Sequence, residues 1–222
     1  MAPVLVAAAA FAPGGAAAFP FDFFPPALLD LRPIEDQLEL VQRGHQLLAI
    51  DAWSGVALSI DLDLGEEVLW SRVRGRIAIA ITDRRVLATV PGASRWTEKE
   101  IGVSESSPFT AVVGDRVALL ATDRRVLGFE GVSGSWSEAG LGPREEVLDA
   151  GAGTNVAVAV TRTRVLGVAA ARGGLFEAEL EIRERVEALH MHGSFATATT
   201  ARRVLTFRAP EGAWQATDLS MR

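Results

Sequence analysis

The sequence contains no cysteine and no tyrosine, and Lys99 is its only lysine. Without cysteine the chain can form neither a disulfide nor a thiolate metal site. Proline and glycine interrupt the longest apolar stretch well before the ~18 residues that a membrane-spanning helix needs. The formal net charge is −6 at pH 7, so no overall basic field attracts nucleic acid or an anionic membrane. We therefore expect no nucleic-acid partner and no transmembrane segment.

The rest of the composition is that of an ordinary globular protein. Of the 222 residues, 49% are apolar and 23% are charged, which suits one domain with a sizeable core. Residues 1–26 differ: Asp22 is their only charged side chain, and they hold half of the phenylalanines. Three interpretations of this extension stay open. It is a secretory signal that lacks the usual basic start, a segment that packs on the domain, or an exposed arm. The compartment stays open, with the cytoplasm preferred to secretion. As an arm, it would contact a partner through four phenylalanines: Phe19, Phe21, Phe23 and Phe24.

A six-residue motif recurs four times along the chain. Its first copy is Thr82-Asp83-Arg84-Arg85-Val86-Leu87, and later copies occupy 122–127, 161–166 and 200–205. The final leucines of successive copies are 40, 39 and 39 residues apart. A fixed period of this length indicates a repeat protein.

Each copy of the motif follows a short β-rich segment that is apolar on both faces. In the first copy this segment is Ile77-Ala-Ile-Ala-Ile81, with large side chains on one face and alanine on the other. A strand buried on both faces belongs to a stacked sheet. Short turns then predict an antiparallel meander of four strands per unit. For the second unit the predicted strands are 68–74, 76–82, 85–90 and 95–101. An aromatic residue near the start of each last strand should fill the gap between neighbouring units: Trp96, Trp136, Phe176 and Trp214.

A degenerate fifth copy lies 39 residues before the first motif. Leu47 and Leu48 take the places of its last two residues, and Arg43–Gln46 replaces its polar turn. Leu29 and Leu31 supply the first strand of this unit. The sequence thus predicts an all-β fold, a five-bladed β-propeller of four-stranded antiparallel blades with an N-terminal extension. We expect the fifth blade to pack on the first and close the ring. The predicted blades are about 27–64, 65–103, 104–143, 144–182 and 183–222.

Over residues 27–222 the chain resembles the β-propeller superfamily in general. The segment Leu48–Gly55 is similar to the hairpin of quinoprotein-type repeats, and the arrangement is loosely similar to WD40 repeats. The Gly-His and Trp-Asp signatures of WD40 repeats are missing. The Thr-Asp-Arg-Arg turn also resembles a hairpin of bacterial pleckstrin-homology-like domains, which are not built on this period. The resemblance implies a fold and no specific family.

The last arginine of the motif is the same in all four copies: Arg85, Arg125, Arg164 and Arg203. All the motif turns point to one face of a propeller, so these guanidinium groups could form a ring that binds an anion. Alternatively, each arginine bonds to backbone or to an acid of the adjacent blade, and Asp83 and Asp123 are the nearby candidates. Repetition favours this second, structural interpretation. The unit that departs from the pattern places His45 in the turn, where a specific contact with a ligand is plausible.

Signals of metal binding and catalysis are few. His190 and His192 are two residues apart and could share a face of a strand, but a closed metal site needs a third ligand. The inner strands carry only three acids, Asp30, Asp149 and Glu187, and Asp149 is the best placed to face the channel. Glycoside cleavage needs two such carboxylates. We therefore expect no cofactor, no metal and no enzymatic activity.

These observations lead to three hypotheses about function. The first is a non-catalytic propeller that acts as a protein-interaction scaffold through one face or through the Phe-rich arm. The second is a module that binds an anionic small molecule or acidic glycan through the arginine-lined face. The third, and weakest, is a glycoside hydrolase.

Overall fold

Nineteen β-strands form five antiparallel sheets in the structure, a computed structural model that describes residues 35–103, 105 and 110–219. The first sheet consists of β1 (Leu38–Arg43), β2 (Gln46–Asp51) and β3 (Ala57–Asp61). The second consists of β4 (Val68–Arg74), β5 (Ile77–Thr82), β6 (Arg85–Thr89) and β7 (Thr97–Glu100). The third consists of β8 (Thr110–Val113), β9 (Val117–Ala121), β10 (Arg125–Glu130) and β11 (Ser135–Gly140). The fourth consists of β12 (Asp149–Ala152), β13 (Val156–Val160), β14 (Arg164–Ala169) and β15 (Arg172–Glu179). The fifth consists of β16 (Val186–Met191), β17 (Phe195–Thr200), β18 (Arg203–Arg208) and β19 (Ala213–Asp218).

Every sheet is a meander in which strands that follow each other in the chain are hydrogen-bonded neighbours. The predicted five-bladed β-propeller is therefore confirmed, and the predicted strands of the second blade are correct to within two residues. The predicted first strand of the first blade, at Leu29 and Leu31, lies outside the described residues. No helix in the described part of the chain is long and apolar enough to span a membrane.

The second strand of each inner blade is buried on both faces because it packs between two neighbouring sheets. In β5 the isoleucines Ile77 and Ile79 face the third blade, where they meet Leu120 and Phe129. The alternate residues of β5, such as Ala78, face the first blade. Large side chains thus fill the space that alanine leaves on the adjacent sheet, which gives the dense packing of a protein interior.

A row of backbone hydrogen bonds joins successive blades at the turn between their first and second strands. The Arg76 amide donates to the Asp115 carbonyl oxygen at 2.8 Å, and the same bond recurs at each of the four joints. The four donor–acceptor pairs are Gln37 to Gly75, Arg76 to Asp115, Arg116 to Thr154 and Asn155 to Gly193. Since the partners are about one period apart, each blade is fixed to the next in the same register.

Close backbone contact at this row requires glycine. A Cβ atom on Gly114 would lie 1.9 Å from the Gly153 carbonyl oxygen, and one on Gly153 would lie 1.9 Å from the His192 carbonyl oxygen. At the equivalent place the second blade carries Arg74 and the fifth blade carries His192. Glycine is therefore required at this place in the third and fourth blades, where the next backbone passes closest.

The aromatic residues of the outer strands pack between blades, as predicted. The Trp96 indole is 6% exposed and donates its Nε1–H to the Leu58 carbonyl oxygen of the first blade at 3.1 Å. Trp214 makes the equivalent bond to Phe176 of the fourth blade at 2.9 Å. Trp136 lies against Phe129 with ring centroids 4.8 Å apart. These rings stabilise the outer part of each joint.

The expected closure of the ring is not found among the described residues. No strand of the fifth blade makes an extensive contact with a strand of the first. Phe195 is 40% exposed, whereas Val156, its equivalent one blade earlier, is fully buried. The physical reason is composition, because the outward face of the fifth blade carries Thr197 and Thr206 where the inner blades carry apolar side chains or glycine. A polar outer face is typical of a terminal repeat.

Replacement of Gly153 by alanine should destabilise the protein strongly, because the new methyl group overlaps the His192 carbonyl. We expect a loss of at least about 2 kcal/mol in the free energy of unfolding, as for other overpacked sites. Urea unfolding followed by tryptophan fluorescence measures it. The matched control is Gly173→Ala, where a Cβ atom meets nothing within 4 Å. Equal stability of the two variants would contradict the close approach.

Candidate functional site

The threonine of each motif holds the turn that presents the arginine. In the second blade the Thr82 hydroxyl oxygen accepts hydrogen bonds from the backbone amides of Arg84 and Arg85 at 3.1 and 2.9 Å. The same hydroxyl lies 3.0 Å from the Arg85 carbonyl oxygen. Threonines 122, 161 and 200 repeat this arrangement. Threonine is thus required here by the turn, and the following arginine is held at a fixed position on the blade.

A glutamate closes the turn in each crossover from one blade to the next. In the first crossover the Glu66 amide donates to the Asp63 carbonyl oxygen at 2.9 Å, and the Glu66 carboxylate accepts the Asp63 amide at 2.7 Å. The turn is therefore closed at both ends by one residue. The same glutamate recurs at the fourth position of every crossover turn: Glu66, Glu105, Glu145 and Glu184.

The arginine of the motif joins three segments at each blade junction. Arg85 donates from Nε and Nη2 to the two carboxylate oxygens of Glu66, both at 2.9 Å. It also donates from Nη1 to Glu98 on the outer strand of its own blade at 2.6 Å. A further bond from Nη2 reaches the Asp61 carbonyl oxygen, at the end of the preceding blade, at 2.9 Å. We call this arrangement of arginine, crossover glutamate and preceding carbonyl the clamp.

The clamp is present at all four junctions between the five blades. Its arginine–glutamate ion pairs measure 2.9, 2.8, 2.9 and 2.8 Å along the chain. The four pairs are Arg85 with Glu66, Arg125 with Glu105, Arg164 with Glu145, and Arg203 with Glu184. The glutamate side chains are 0, 7, 9 and 2% exposed in the same order. Buried carboxylates of this kind need a charged, hydrogen-bonded partner, and the motif arginine is that partner.

The clamp lowers the pKa of three glutamates, Glu66, Glu145 and Glu184. Burial alone would raise the pKa of Glu66, but hydrogen bonds from Arg85, Thr82 and the Asp63 amide outweigh it and lower the pKa to about 2. Hydrogen bonds from Arg203 are the main reason that the pKa of Glu184 falls to about 2. In turn, the bonds to Glu66 raise the pKa of Arg85. The ion pairs therefore stay charged over the physiological pH range.

Arg85 does not pair with Asp83, the acid predicted from its position in the sequence. Its partner is Glu66, whereas Asp83 accepts the Glu67 amide at 3.0 Å and lies 4.0 Å from Arg84. Arg125 likewise pairs with Glu105. The crossover glutamates repeat at intervals of 39, 40 and 39 residues, so their period could have been found in the sequence. The four arginines predicted to bind an anion thus lie at the blade junctions, with most of their donors already bonded within the chain.

The three histidines considered for ligand or metal binding are exposed to solvent. His45 is exposed in the turn between β1 and β2. His190 and His192 are also exposed, and His192 stacks on Phe195 with ring centroids 4.2 Å apart. Within the described ranges no group of three metal-ligating side chains is found. The four phenylalanines proposed to contact a partner, and Asp30, lie outside the described residues.

Two of the candidate acids line a cavity between the fourth and fifth blades. The cavity has a volume of about 760 Å³ and includes Asp149 on β12 and Glu187 on β16. Arginine side chains share its wall, among them Arg162 and Arg183. Both carboxylates are exposed to solvent, so the cavity offers polar groups in water and not the enclosed pair that glycoside cleavage uses.

Comparison with known proteins gives similarity of fold without a family. No family model matches the sequence, and no curated protein shows significant similarity to it. PorZ, an essential bacterial surface component of the type-IX secretion system of Porphyromonas gingivalis, has a TM-score of 0.38 and 14% identity over 84% of this chain and 27% of PorZ. Kluyveromyces lactis Hsv2p has a TM-score of 0.38 and 8% identity over 82% of this chain and 69% of Hsv2p. The N-terminal domain of Nup159 has a TM-score of 0.36 and 7% identity over 83% and 59%. The chain thus spans less than two thirds of PorZ and of the Nup159 domain, and such identities carry over no function.

The clamp should contribute measurably to stability. Glu145→Gln removes the charge opposite Arg164 while it keeps the shape of the side chain, and we expect a loss of about 2 kcal/mol in the free energy of unfolding. The neighbouring pair of Arg162 and Glu146 is the control, because its side chains are 64% and 60% exposed. Glu146→Gln should change stability by less than about 0.5 kcal/mol. Urea titration compares the two, and equal losses would show that burial of the clamp is unimportant.

The clamp also predicts acid sensitivity. The pKa values of Glu66, Glu145 and Glu184 are about 2 in the folded protein, against 4.5 for a free glutamate. As the pH falls below about 4.5, the unfolded chain takes up protons that the folded chain does not, so stability decreases down to about pH 2. Urea midpoints measured over this range should fall for the wild type and fall less for Glu145→Gln. Parallel curves for the two proteins would contradict the assignment.

Proposed function

We propose that the protein is a non-catalytic β-propeller that acts as a protein-interaction scaffold, with its partner bound at the rim formed by the crossover turns. The supporting observation is a row of exposed apolar side chains, one at the second position of each turn that the clamp glutamate closes. The four residues are Leu64, Val103, Pro143 and Ile182, and we call them the rim tips.

Three of the four rim tips are almost completely exposed, and Pro143 is also exposed. Leu64 is 90% exposed, Ile182 is 91% exposed, and Val103 is as exposed as in an extended chain, at 110%. Isolated apolar side chains on a surface are common and need no explanation. Here, however, the same position of four successive turns is apolar, although the fold makes no use of these side chains. Their recurrence on one rim supports a shared apolar contact with a partner.

Charged groups surround the rim tips in the pattern of a protein interface. The guanidinium group of Arg84 donates to the Leu64 carbonyl oxygen at 3.0 Å. Arg162 and Arg202 of the later motifs are 64% and 68% exposed. Arginine is enriched in protein interfaces, where its planar donors contact acidic groups and its stem covers apolar surface. The rim therefore suits a partner with an apolar segment flanked by acidic residues.

The clamp supports this function by holding the rim rigid. Each rim tip lies two residues before a clamp glutamate, and that glutamate is fixed by its own turn and by the motif arginine. A surface that is ordered before binding loses less conformational entropy when its partner arrives. Use of the four arginines within the chain also argues for the scaffold over a module that binds an anionic small molecule or acidic glycan.

A fourfold variant, Leu64→Ser, Val103→Ser, Pro143→Ser and Ile182→Ser, should lose at least about tenfold in affinity for the partner, since each buried apolar contact contributes on the order of 1 kcal/mol. Affinity capture with quantitative mass spectrometry identifies the partner, and titration with the purified partner measures the loss. The variant should fold normally because these side chains are exposed.

Two controls separate the rim from other surfaces. Val56→Ser with Val132→Ser removes two apolar side chains that are 65% and 62% exposed and lie outside the crossover turns, and it should leave partner binding unchanged. Deletion of residues 1–26 tests the arm by the same assay. If the deletion or the control variant loses partner binding while the fourfold variant keeps it, the partner does not bind at the rim.

A further inference from the structure

We propose that the open face of the fifth blade docks on the open face of the first blade of a second copy of this chain. The four joints inside the chain supply the template. At each of them a backbone amide of one blade donates to a backbone carbonyl oxygen of the next blade, at equivalent positions of the repeat. The next donor in this series is the Ser194 amide, and the acceptor at the other end is the Asp36 carbonyl oxygen. A bond between Ser194 of one copy and Asp36 of another would continue the row.

The receiving face on the first blade combines apolar side chains with the exposed Glu39 and is incompletely covered. Val41 is 36% exposed, and Leu48 and Ile50 are half-buried. In the second blade the residue equivalent to Leu48 is Leu87, which is fully buried against the first blade. The first blade thus carries apolar side chains at positions that contact the preceding blade elsewhere, with the exposed Glu39 beside them and no described sheet in front.

The docking face of the fifth blade consists of the residues whose equivalents in the preceding blades contact the next sheet. Phe195 corresponds to Val156, which packs on Ala196, Ala198 and Phe207 of the following blade. In the proposed joint Phe195 therefore meets Glu39, Val41 and Ile50 of the other copy. The threonines beside Phe195 are small enough to pack and polar enough to stay soluble when the face is uncovered, which suits a contact that forms and separates.

A charged group and an aromatic ring also come into register at the outer part of this joint. Arg208 corresponds to Glu130, which accepts the Ala171 amide of the next blade at 2.9 Å. The first-blade residue equivalent to Ala171 is Trp53, whose side chain is 82% exposed. Arg208 of one copy would then lie over Trp53 of the other, an arrangement in which a guanidinium is attracted to the ring face.

The contact is of the heterologous type, since two different surfaces meet. Copies joined in this way form a closed ring or an open row, according to the angle of the joint. The chain's own first blade is the rival occupant of the fifth-blade face. Among the described residues these two faces make no extensive contact and are partly exposed, which favours the second copy.

The absence of cysteine makes a direct cross-linking test possible. Ser194→Cys and Asp36→Cys are prepared as separate full-length proteins, mixed and mildly oxidised. A main-chain hydrogen bond brings Cα atoms within about 4.4–6.8 Å, the range that a disulfide spans. We expect a covalent dimer in the mixture at about ten times the yield of either variant alone. As a positive control, Asn155→Cys and Gly193→Cys are combined in one chain, where a disulfide should form across an internal joint.

Further variants distinguish a second copy of the chain from the chain's own first blade as the partner of the fifth-blade face. Ser71→Cys, on the exposed surface of β4, replaces Asp36→Cys as the control and should give no dimer with Ser194→Cys. Sedimentation velocity should show a concentration-dependent larger species that Thr197→Arg abolishes. The proposal is overturned if a chain carrying both Ser194→Cys and Asp36→Cys forms only an internal disulfide, because the ring then closes on itself. It is equally overturned if no disulfide forms while the internal joint cross-links.

Discussion

Each blade has two sheet faces that must be covered, and only a neighbouring blade can cover them. This constraint explains why β5, β9 and β13 are buried on both faces and why large side chains on one sheet meet alanine on the next. It also explains why the joints between blades carry the most specific chemistry in the chain. Apolar packing is not directional, so hydrogen bonds at both ends of the strands set the angle and register of each joint.

The two kinds of directional contact act at opposite ends of the blade. The backbone row at the turns between first and second strands admits only glycine at Gly114 and Gly153, while the clamp at the other end uses arginine and glutamate. Neither contact needs a ligand, although the clamp uses the arginines that the sequence suggested as an anion site. Repetition of a charged residue at the four described junctions is thus a sign of structure in this protein.

The period and the strand composition were sufficient to predict the fold, because a motif such as Thr82–Leu87 constrains the turn and both adjoining strands locally. The partner of Arg85 was missed because Asp83 is adjacent in sequence, while Glu66 approaches only through the crossover between blades. The expected ring closure is not found among the described residues, and the repeat count carries no information about the polarity of the last face. Thr197 and Thr206 contained that information, but it becomes interpretable only once the direction of each strand face is known.

The contacts of the blades run only between sequence neighbours, and this has a consequence for the way the molecule opens. The stability of such an array is approximately a sum of terms for each blade and each joint, as in a one-dimensional Ising chain. The third blade has one adjoining blade on each side, whereas the first and fifth blades each have only one described joint. Fluctuations should therefore begin at the ends and travel inward, so that amide protons exchange with solvent most slowly around β9 and β10 and progressively faster toward both terminal blades.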